Sequence, residues 1–361
     1  MKVLNIISAY SPNGGTIAKL REITTRSQAE HLIYFCCYNE NYEPAKKEDY
    51  YYQKRDIKTF YGNYGRNIFK HVRFLSKIIK NEGIDILHFY FNFEQTFAPL
   101  LKILHPNVIM LRSFVGYVEL SPLKKRLMYP SILSINNYIF ISKYIQSRYE
   151  TLFPVLRNRR TQIIYNAPVN VLEITPNIEQ RDLILFVGGL TKSKNVPLLI
   201  EVMNLVVNSF HRKDIELTII GDGEDRPDIE EMIKKYNLLS NIHLLGYSRK
   251  VSEYLSRCKI YLHPATNEGF GISVVEAMYM YCPCIVSKAS ALPELIDESS
   301  GFVIDPNDAM EWAKSLIYLN DNLTVRKELA IGANLRAKKC FSMHSFIESH
   351  DNLYNQLKTL V

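Results

Sequence analysis

Short apolar runs alternate with amphipathic stretches along the 361 residues of the chain. The runs of the first half are KVLNIIS, HLIYFCC, DILHFY, NVIML, YIFIS and QIIY. Those of the second half are LILFVGG, IELTIIG, NIHLLG, KIYLHP and CPCIVS. Near-continuous apolar runs of this length read as strands buried on both faces, the kind found in parallel sheets. Between them apolar residues recur at helical spacing, as in NVPLLIEVMNLVVNSF and DIEEMIKKYNLL. A strand–helix alternation that occurs twice predicts an α/β chain of two Rossmann-like domains with parallel sheets. Residues 166–182, NAPVNVLEITPNIEQRD, are rich in Pro and Asn and read as the linker. The expected domains are therefore residues 1–168 and 172–340. NYEPAKKEDYYYQKRD reads as a polar, tyrosine-rich loop.

Composition changes this picture little. Hydrophobic residues make up 47% and charged residues 22%, which is ordinary for a soluble globular chain. No apolar run approaches the roughly 20 residues that span a bilayer. The run from Val3 to Ala9 is too short for a secretory core and reads as a strand. Six cysteines without Cys-x-x-Cys spacing read as core residues in a reducing cytoplasm, and no zinc site is expected. Charge is more informative. Residues 1–175 hold 24 Lys+Arg against 13 Asp+Glu, a net +11, while residues 176–361 hold 20 against 24, a net −4. A basic first half suits a diphosphate, an anionic lipid surface or nucleic acid, and equally a solvated lysine-rich surface.

Ligands of such sheets sit where strands end and helices begin, and two facing domains can share a cleft there. Four stretches fall at such places. AYSPNGGTIAKL carries Gly14 and Gly15 into a helix start that could approach an anion, although a plain turn explains it as well. LFVGGLTKSKN ends a strand at Gly188 and Gly189 and sets Lys194 before a helix, where it could reach a phosphate or simply face solvent. IIGDGEDRPD opens like a dinucleotide fingerprint, but Arg226 stands at its third glycine position, which argues against NAD. TNEGFGISVVEAM sets Glu268 and Glu276 on either side of a turn made by Gly269 and Gly271. Glu276, one turn inside the helix, can accept two hydrogen bonds from a ribose diol, and Glu268 can hold a sugar hydroxyl. The arrangement suits a sugar nucleotide, with the diphosphate on backbone amides.

The last stretch resembles the Glu-x7-Glu motif of family-4 glycosyltransferases, which have the GT-B fold. The resemblance extends through IIYNAPVN, ILFVGGLTKSKN, LTIIGDGEDR, IHLLGY and LPELIDESSGFVIDP to the closing FSMHSFIESHDNLY. It covers nearly all of the second half and only fragments of the first. It implies retaining sugar transfer from a nucleotide-diphosphate donor without a bound metal or other cofactor; no Asp-x-Asp triplet is present. On this resemblance Glu268 contacts the donor sugar and Lys194 the diphosphate. The amides of Gly269, Phe270, Gly271 and Ile272 face sugar and phosphate, and Glu276 binds ribose. Gly246 and Tyr247 border the base, and Gly14 and Gly15 approach donor phosphate and acceptor. The closing helix, residues 342–361, returns to the first domain. The implied acceptor is a glycan or lipid-diphosphate-linked glycan, as in surface polysaccharide synthesis.

This sequence departs from the family pattern at four places. Val115 in SFVGYV replaces a histidine, Gly189 an arginine, and Ala167 and Tyr281 glycines. Lys194 would then hold the diphosphate alone or with another base such as Arg112. A valine cannot bond a sugar 6-hydroxyl, and leaving one unpaired costs roughly 1–3 kcal/mol, so a 6-deoxy sugar or a pentose is an expected donor. Residues 66–80, RNIFKHVRFLSKIIK, form a basic amphipathic helix that could lie on an anionic membrane or pack as an ordinary domain helix. SPLKKRLMYP is a second basic cluster. The competing functions are a non-catalytic relative that keeps the nucleotide pocket and a sugar-nucleotide epimerase. Nucleic-acid binding is not expected, because no basic stripe with stacking aromatics is established.

Overall fold

A computed structural model describes residues 1–8, 15–36, 51–169 and 177–359. The chain divides into two compact units, Met1–Tyr165 with Met343–Val361, and Asn166–Ser342. Gly14, most of the tyrosine-rich loop and residues 170–176 of the expected linker lie outside the described residues.

Unit 1 is built on strands β1 (Lys2–Ile7), β2 (Glu30–Cys36), β3 (Thr59–Gly62), β4 (Ile86–Phe89), β5 (Ile109–Phe114), β6 (Asn137–Phe140) and β7 (Arg160–Ile163). Their order is β3-β2-β1-β4-β5-β6-β7, and every pair is parallel. Unit 2 contains β8 (Leu183–Val187), β9 (Leu217–Ile220), β10 (Ile242–Gly246), β11 (Cys258–His263), β12 (Cys284–Ser287) and β13 (Gly301–Ile304). The order is β10-β9-β8-β11-β12-β13, again all parallel. The expected pair of Rossmann-like α/β sheets is thus present. In each sheet the winding reverses beside the first strand, at β1/β4 and at β8/β11. Loops leaving the carboxyl ends of those strands diverge and leave a crevice for a ligand.

Central strands are buried on both faces: β4, β6, β9 and β12 have no exposed residue. That explains why their sequences are mostly apolar, with a single polar residue in each. The core of unit 2 gathers Phe186, Leu199, Ile219, Leu262, Ile285 and Trp312 between sheet and helices. The apolar runs missed β3 and β13, which are edge strands only partly covered.

The basic helix expected at 66–80 runs from Ile68 to Glu82, begun by Asn67, whose side chain accepts from the Lys70 amide at 3.0 Å. It ends at Gly83, with φ +66°. Val72, Leu75, Ile78 and Ile79 are buried, so its apolar side faces the protein. Helix Met343–Lys358 belongs to unit 1. Tyr354 Oη lies 3.0 Å from His88 Nδ1, and the Asp351 carboxylate accepts from Ser27 Oγ and the Gln28 amide. No helix among the described residues is long and apolar enough to cross a membrane.

Candidate functional site

Most of the candidate residues of unit 2 gather at its reversal point. Past β8 the chain forms a single 3-10 turn, Lys192–Lys194, which Asn195 (φ +51°) hands on to helix Val196–Asn204. Past β11 it runs through residues 264–271 into helix Ile272–Tyr279. The two loops are tied directly: the Ser193 carbonyl accepts from the Thr266 amide at 3.0 Å. This tie places the Lys194 ammonium on the Glu268 carboxylate, in an ion pair whose side chains are 24% and 17% exposed. His263, the last residue of β11, is fully buried, with Nε2 3.4 Å from the same Glu268 oxygen.

The electrostatics follow from that geometry. Burial alone would raise the Glu268 carboxyl, but the His263 hydrogen bond and the Lys194 charge outweigh it and hold it at about 2. Burial pushes the His263 imidazole down, toward its neutral form. A permanently ionised Glu268 only accepts, so His263 Nε2 donates to it. Glu276 is different. Among the described residues nothing offsets its burial, which pushes it up to about 7.

Backbone shape completes the site. Gly271, at φ +101° and ψ 56°, precedes the helix that carries Glu276. A side chain there would be strained, and a Cβ would lie 3.0 Å from Leu292 and Leu295. The first amides of this helix, at Ile272 and Ser273, have no acceptor within the helix and carry its positive end. The strand ends beside them are zipped through backbone. Gly188 donates to Ile220, Leu190 to Asp222 and Gly221 to Gly246, at 2.9–3.0 Å. A Cβ at Gly221 would fall 1.8 Å from the Gly188 carbonyl, so no side chain fits. Gly189 differs: it is exposed, and a Cβ there meets nothing closer than 3.8 Å. Gly246 (φ +71°) ends β10 beside Arg226, and Tyr247 after it is 76% exposed.

Lys194, Glu268, Gly189, Gly271, Ile272 and Glu276 therefore all lie on the loops at this end of the sheet or on the helix that follows them. Sequence reasoning missed His263, although its signal was present: a histidine ends the strand KIYLHP five residues before Glu268. The remaining candidates lie in unit 1. Gly15 begins helix Gly15–Arg26 after β1. Val115 follows β5 and packs on a cluster containing Ile7, Ile17 and Tyr90. Arg112 is 2% exposed, and its donors are committed within unit 1: Nε to Gln95 at 3.0 Å, Nη2 to Asn92 at 3.2 Å and Nη1 to the Ser113 carbonyl at 2.8 Å. Arg112 is thus held in place on β5 through three of its five N–H donors.

Residues 172–336 match the family described as glycosyl transferases group 1. The match takes in 165 of the chain's 361 residues. Its relatives include an uncharacterized glycosyltransferase of Methanocaldococcus jannaschii, 28% identical over 99% of both chains. The poly(ribitol-phosphate) alpha-N-acetylglucosaminyltransferase of Staphylococcus aureus is 26% identical over 53% of this chain and 38% of its own length. The fold is that of GT-B glycosyltransferases. A glycosyltransferase from Rickettsia africae superposes with a TM-score of 0.78 at 17% identity, covering 99% of this chain and 98% of that one. Anabaena HepE in complex with UDP superposes with a TM-score of 0.79 at 15% identity, covering 99% and 100%. Within the matched residues, Lys194 and Glu268 pair on loops that leave the carboxyl ends of β8 and β11, and Glu276 follows on the next helix.

Proposed function

We propose that this glycosyltransferase moves a sugar from a nucleoside-diphosphate donor to a glycan or lipid-linked glycan, with retention at the anomeric carbon and without a metal. The observation that carries the reading is the Lys194–Glu268 pair on the loops at the reversal point of unit 2. In this reading a donor diphosphate enters between the Lys194 ammonium and the amides that open helix Ile272–Tyr279. Lys194 turns from Glu268 to phosphate and balances the charge that grows on the leaving group. Fixed charges and dipoles aimed at developing charge are the largest catalytic contribution such a site offers. Glu268 then orients the sugar hydroxyls and stabilises positive character at the anomeric carbon. Glu276 accepts from the ribose diol. The leaving phosphate takes the acceptor's proton as the new bond forms on the same face. The acceptor class is supported by relatives named for related transfers, among them the ribitol-phosphate enzyme above.

The apolar setting of Val115 supports a donor that presents a methyl or hydrogen where a hexose has its 6-hydroxyl. A panel of nucleotide sugars, read by thermal shift and then by product analysis with EDTA present, tests the whole reading. A 6-deoxy sugar or pentose donor should be used best, and the product's α or β linkage should match the donor's. Conversion of donor without acceptor would mark an epimerase. Binding without turnover, unchanged in Glu268→Ala, would mark a non-catalytic relative.

A further inference from the structure

Unit 1 exposes eight large hydrophobic side chains among its described residues, and six of them sit on two helices packed together. They are Ile103 and Leu104 at the end of Ala98–Leu104, and Leu123, Leu127, Tyr129 and Leu133 along Pro122–Ser134. Ile103 is 76% exposed, Leu123 67% and Leu127 66%. The second helix buries Met128 and Ile132 on its inner side and is leucine-rich on its outer side as well. A domain helix needs one apolar stripe. An outer apolar side gathered with its neighbour's marks a surface that meets something else.

The charges around it have one sign. Lys102, Lys124, Lys125 and Arg126 stand on the same two helices, and Glu119 is the only acid between Glu94 and Glu150. A cavity of about 600 Å³ opens where these helices end, at the amino ends of β5 and β7. Lys102, Arg159 and Arg160 line it together with Ser134, and no acid does. Arg159 joins it to the apolar row: Nη2 donates to the Leu133 carbonyl at 3.0 Å, and Nη1 to Asn136 at 2.5 Å. Its buried Nε has no partner among the described residues.

We propose that this face of unit 1 docks on a bilayer bearing anionic phospholipid. The leucines enter the headgroup boundary, the basic side chains meet the lipid phosphates, and the cavity receives one headgroup. Apolar side chains and cations on one surface match a bilayer, which offers hydrocarbon and negative charge together. A second copy of the chain fits less well, because a self-complementary contact would set these cations against one another. The basic helix of residues 66–80 offers less: Phe69 is its one exposed large hydrophobic among the described residues, and the rest of its apolar side is turned inward. The inference is independent of the proposed transfer activity.

The test is co-sedimentation of the full chain, without donor, with vesicles of phosphatidylcholine alone and of phosphatidylcholine mixed with phosphatidylglycerol. At least tenfold tighter binding to the mixed vesicles, weakened by added salt, is expected. Leu123→Asn with Leu127→Asn should lose at least tenfold on mixed vesicles. Lys124→Glu with Arg126→Glu, and separately Lys102→Glu with Arg160→Glu, should abolish the preference for phosphatidylglycerol. Circular dichroism checks that each variant folds. Equal binding to both vesicle types, or leucine variants that bind like the parent, would overturn the proposal. So would a concentration-dependent dimer that the leucine variants abolish, since the face would then belong to a second copy. Transfer to a water-soluble acceptor, assayed separately, keeps failure of this inference distinct from failure of the transferase reading.

Discussion

Glu268 and Glu276 lie eight residues apart on one turn and helix, yet unit 2 holds their carboxyls at opposite ends of the usual range, about 2 and about 7. His263 and Lys194 face the first, whereas burial alone acts on the second. Two like acids so treated can serve different purposes, one as a fixed charge and the other as an acceptor whose ionisation depends on pH.

The raised Glu276 gives a signed prediction for binding and for stability. Only its carboxylate accepts both hydrogen bonds of a diol, so affinity for a nucleoside diphosphate should rise as pH rises through about 7. Glu276→Gln should bind more weakly above pH 7 and show a flatter profile. Isothermal titration across that range reads both. For stability the sign is opposite. An acid whose folded pKa exceeds its unfolded value holds more protons when folded. Its contribution to stability is therefore lost as pH rises from the ordinary carboxyl value through about 7, and Glu276→Gln should remove that slope from urea unfolding curves.

Lys194 and Glu268 are each predicted to act on both stability and turnover. Removing the lysine leaves a mostly buried carboxylate with His263 alone, which should destabilise unit 2 by about 1–3 kcal/mol. Lys194→Ala should also lower kcat by about 10²–10³, the size typical of losing one group that stabilises a leaving charge. Glu268→Gln keeps shape and an acceptor but loses the charge that the lowered carboxyl marks as stabilising, so it should lower kcat and also the unfolding midpoint at pH 7, the second effect fading as pH falls toward about 2. A Lys194→Ala enzyme with normal turnover would remove Lys194 from the chemistry.

Much of this was legible in the sequence because parallel strands buried on both faces leave long apolar runs, and because glycines mark where backbone must approach backbone. Gly221 is such a case: its place against the Gly188 carbonyl excludes every side chain. What the sequence concealed has equally physical causes. β3 and β13 are half-covered edges of four residues each, TFYG and GFVI, closed in by polar neighbours, so neither stands out as a long apolar run. Arg112 looks like any basic residue until its burial and three sets of partners are seen. His263 lay inside a run read only as a strand, and periodicity does not say that a strand's last side chain reaches the following loop.

Gly189 offers a test of whether one cation suffices for the diphosphate. Its exposed position and the 3.8 Å clearance of a Cβ mean that Gly189→Arg should fold with an unchanged midpoint. The new guanidinium would stand on the loop that carries Lys194 and can bind phosphate in a bidentate manner. Affinity for a nucleoside diphosphate should increase about tenfold, the scale of a charge-assisted hydrogen bond of 1.5–3 kcal/mol discounted for exposure. The gain should shrink with salt. Unchanged affinity at low salt would show that the diphosphate lies out of reach of this loop.

Tyr281 supplies the remaining prediction, at a place where the family resemblance expects glycine. It follows the motif helix with φ +57°, the left-handed conformation that an L side chain adopts at a cost of about 1–2 kcal/mol. The turn is locked all the same. The Tyr281 amide donates to the Met278 carbonyl at 3.0 Å, the Cys282 amide to Ala277 at 3.0 Å, and the Tyr281 carbonyl accepts from buried Arg181 at 3.0 Å. Residues 281 and 282 contribute only backbone atoms to these bonds, so glycine at 281 keeps all of them. Tyr281→Gly relieves the strain but loses the packing of a half-buried ring and adds freedom to the unfolded chain. A Tyr281→Ala control loses the same ring while keeping the strain. Glycine should therefore be the more stable of the two by about 1 kcal/mol, read as the difference between their urea midpoints. Equal midpoints would mean that the strained φ costs no more than the freedom glycine adds to the unfolded chain.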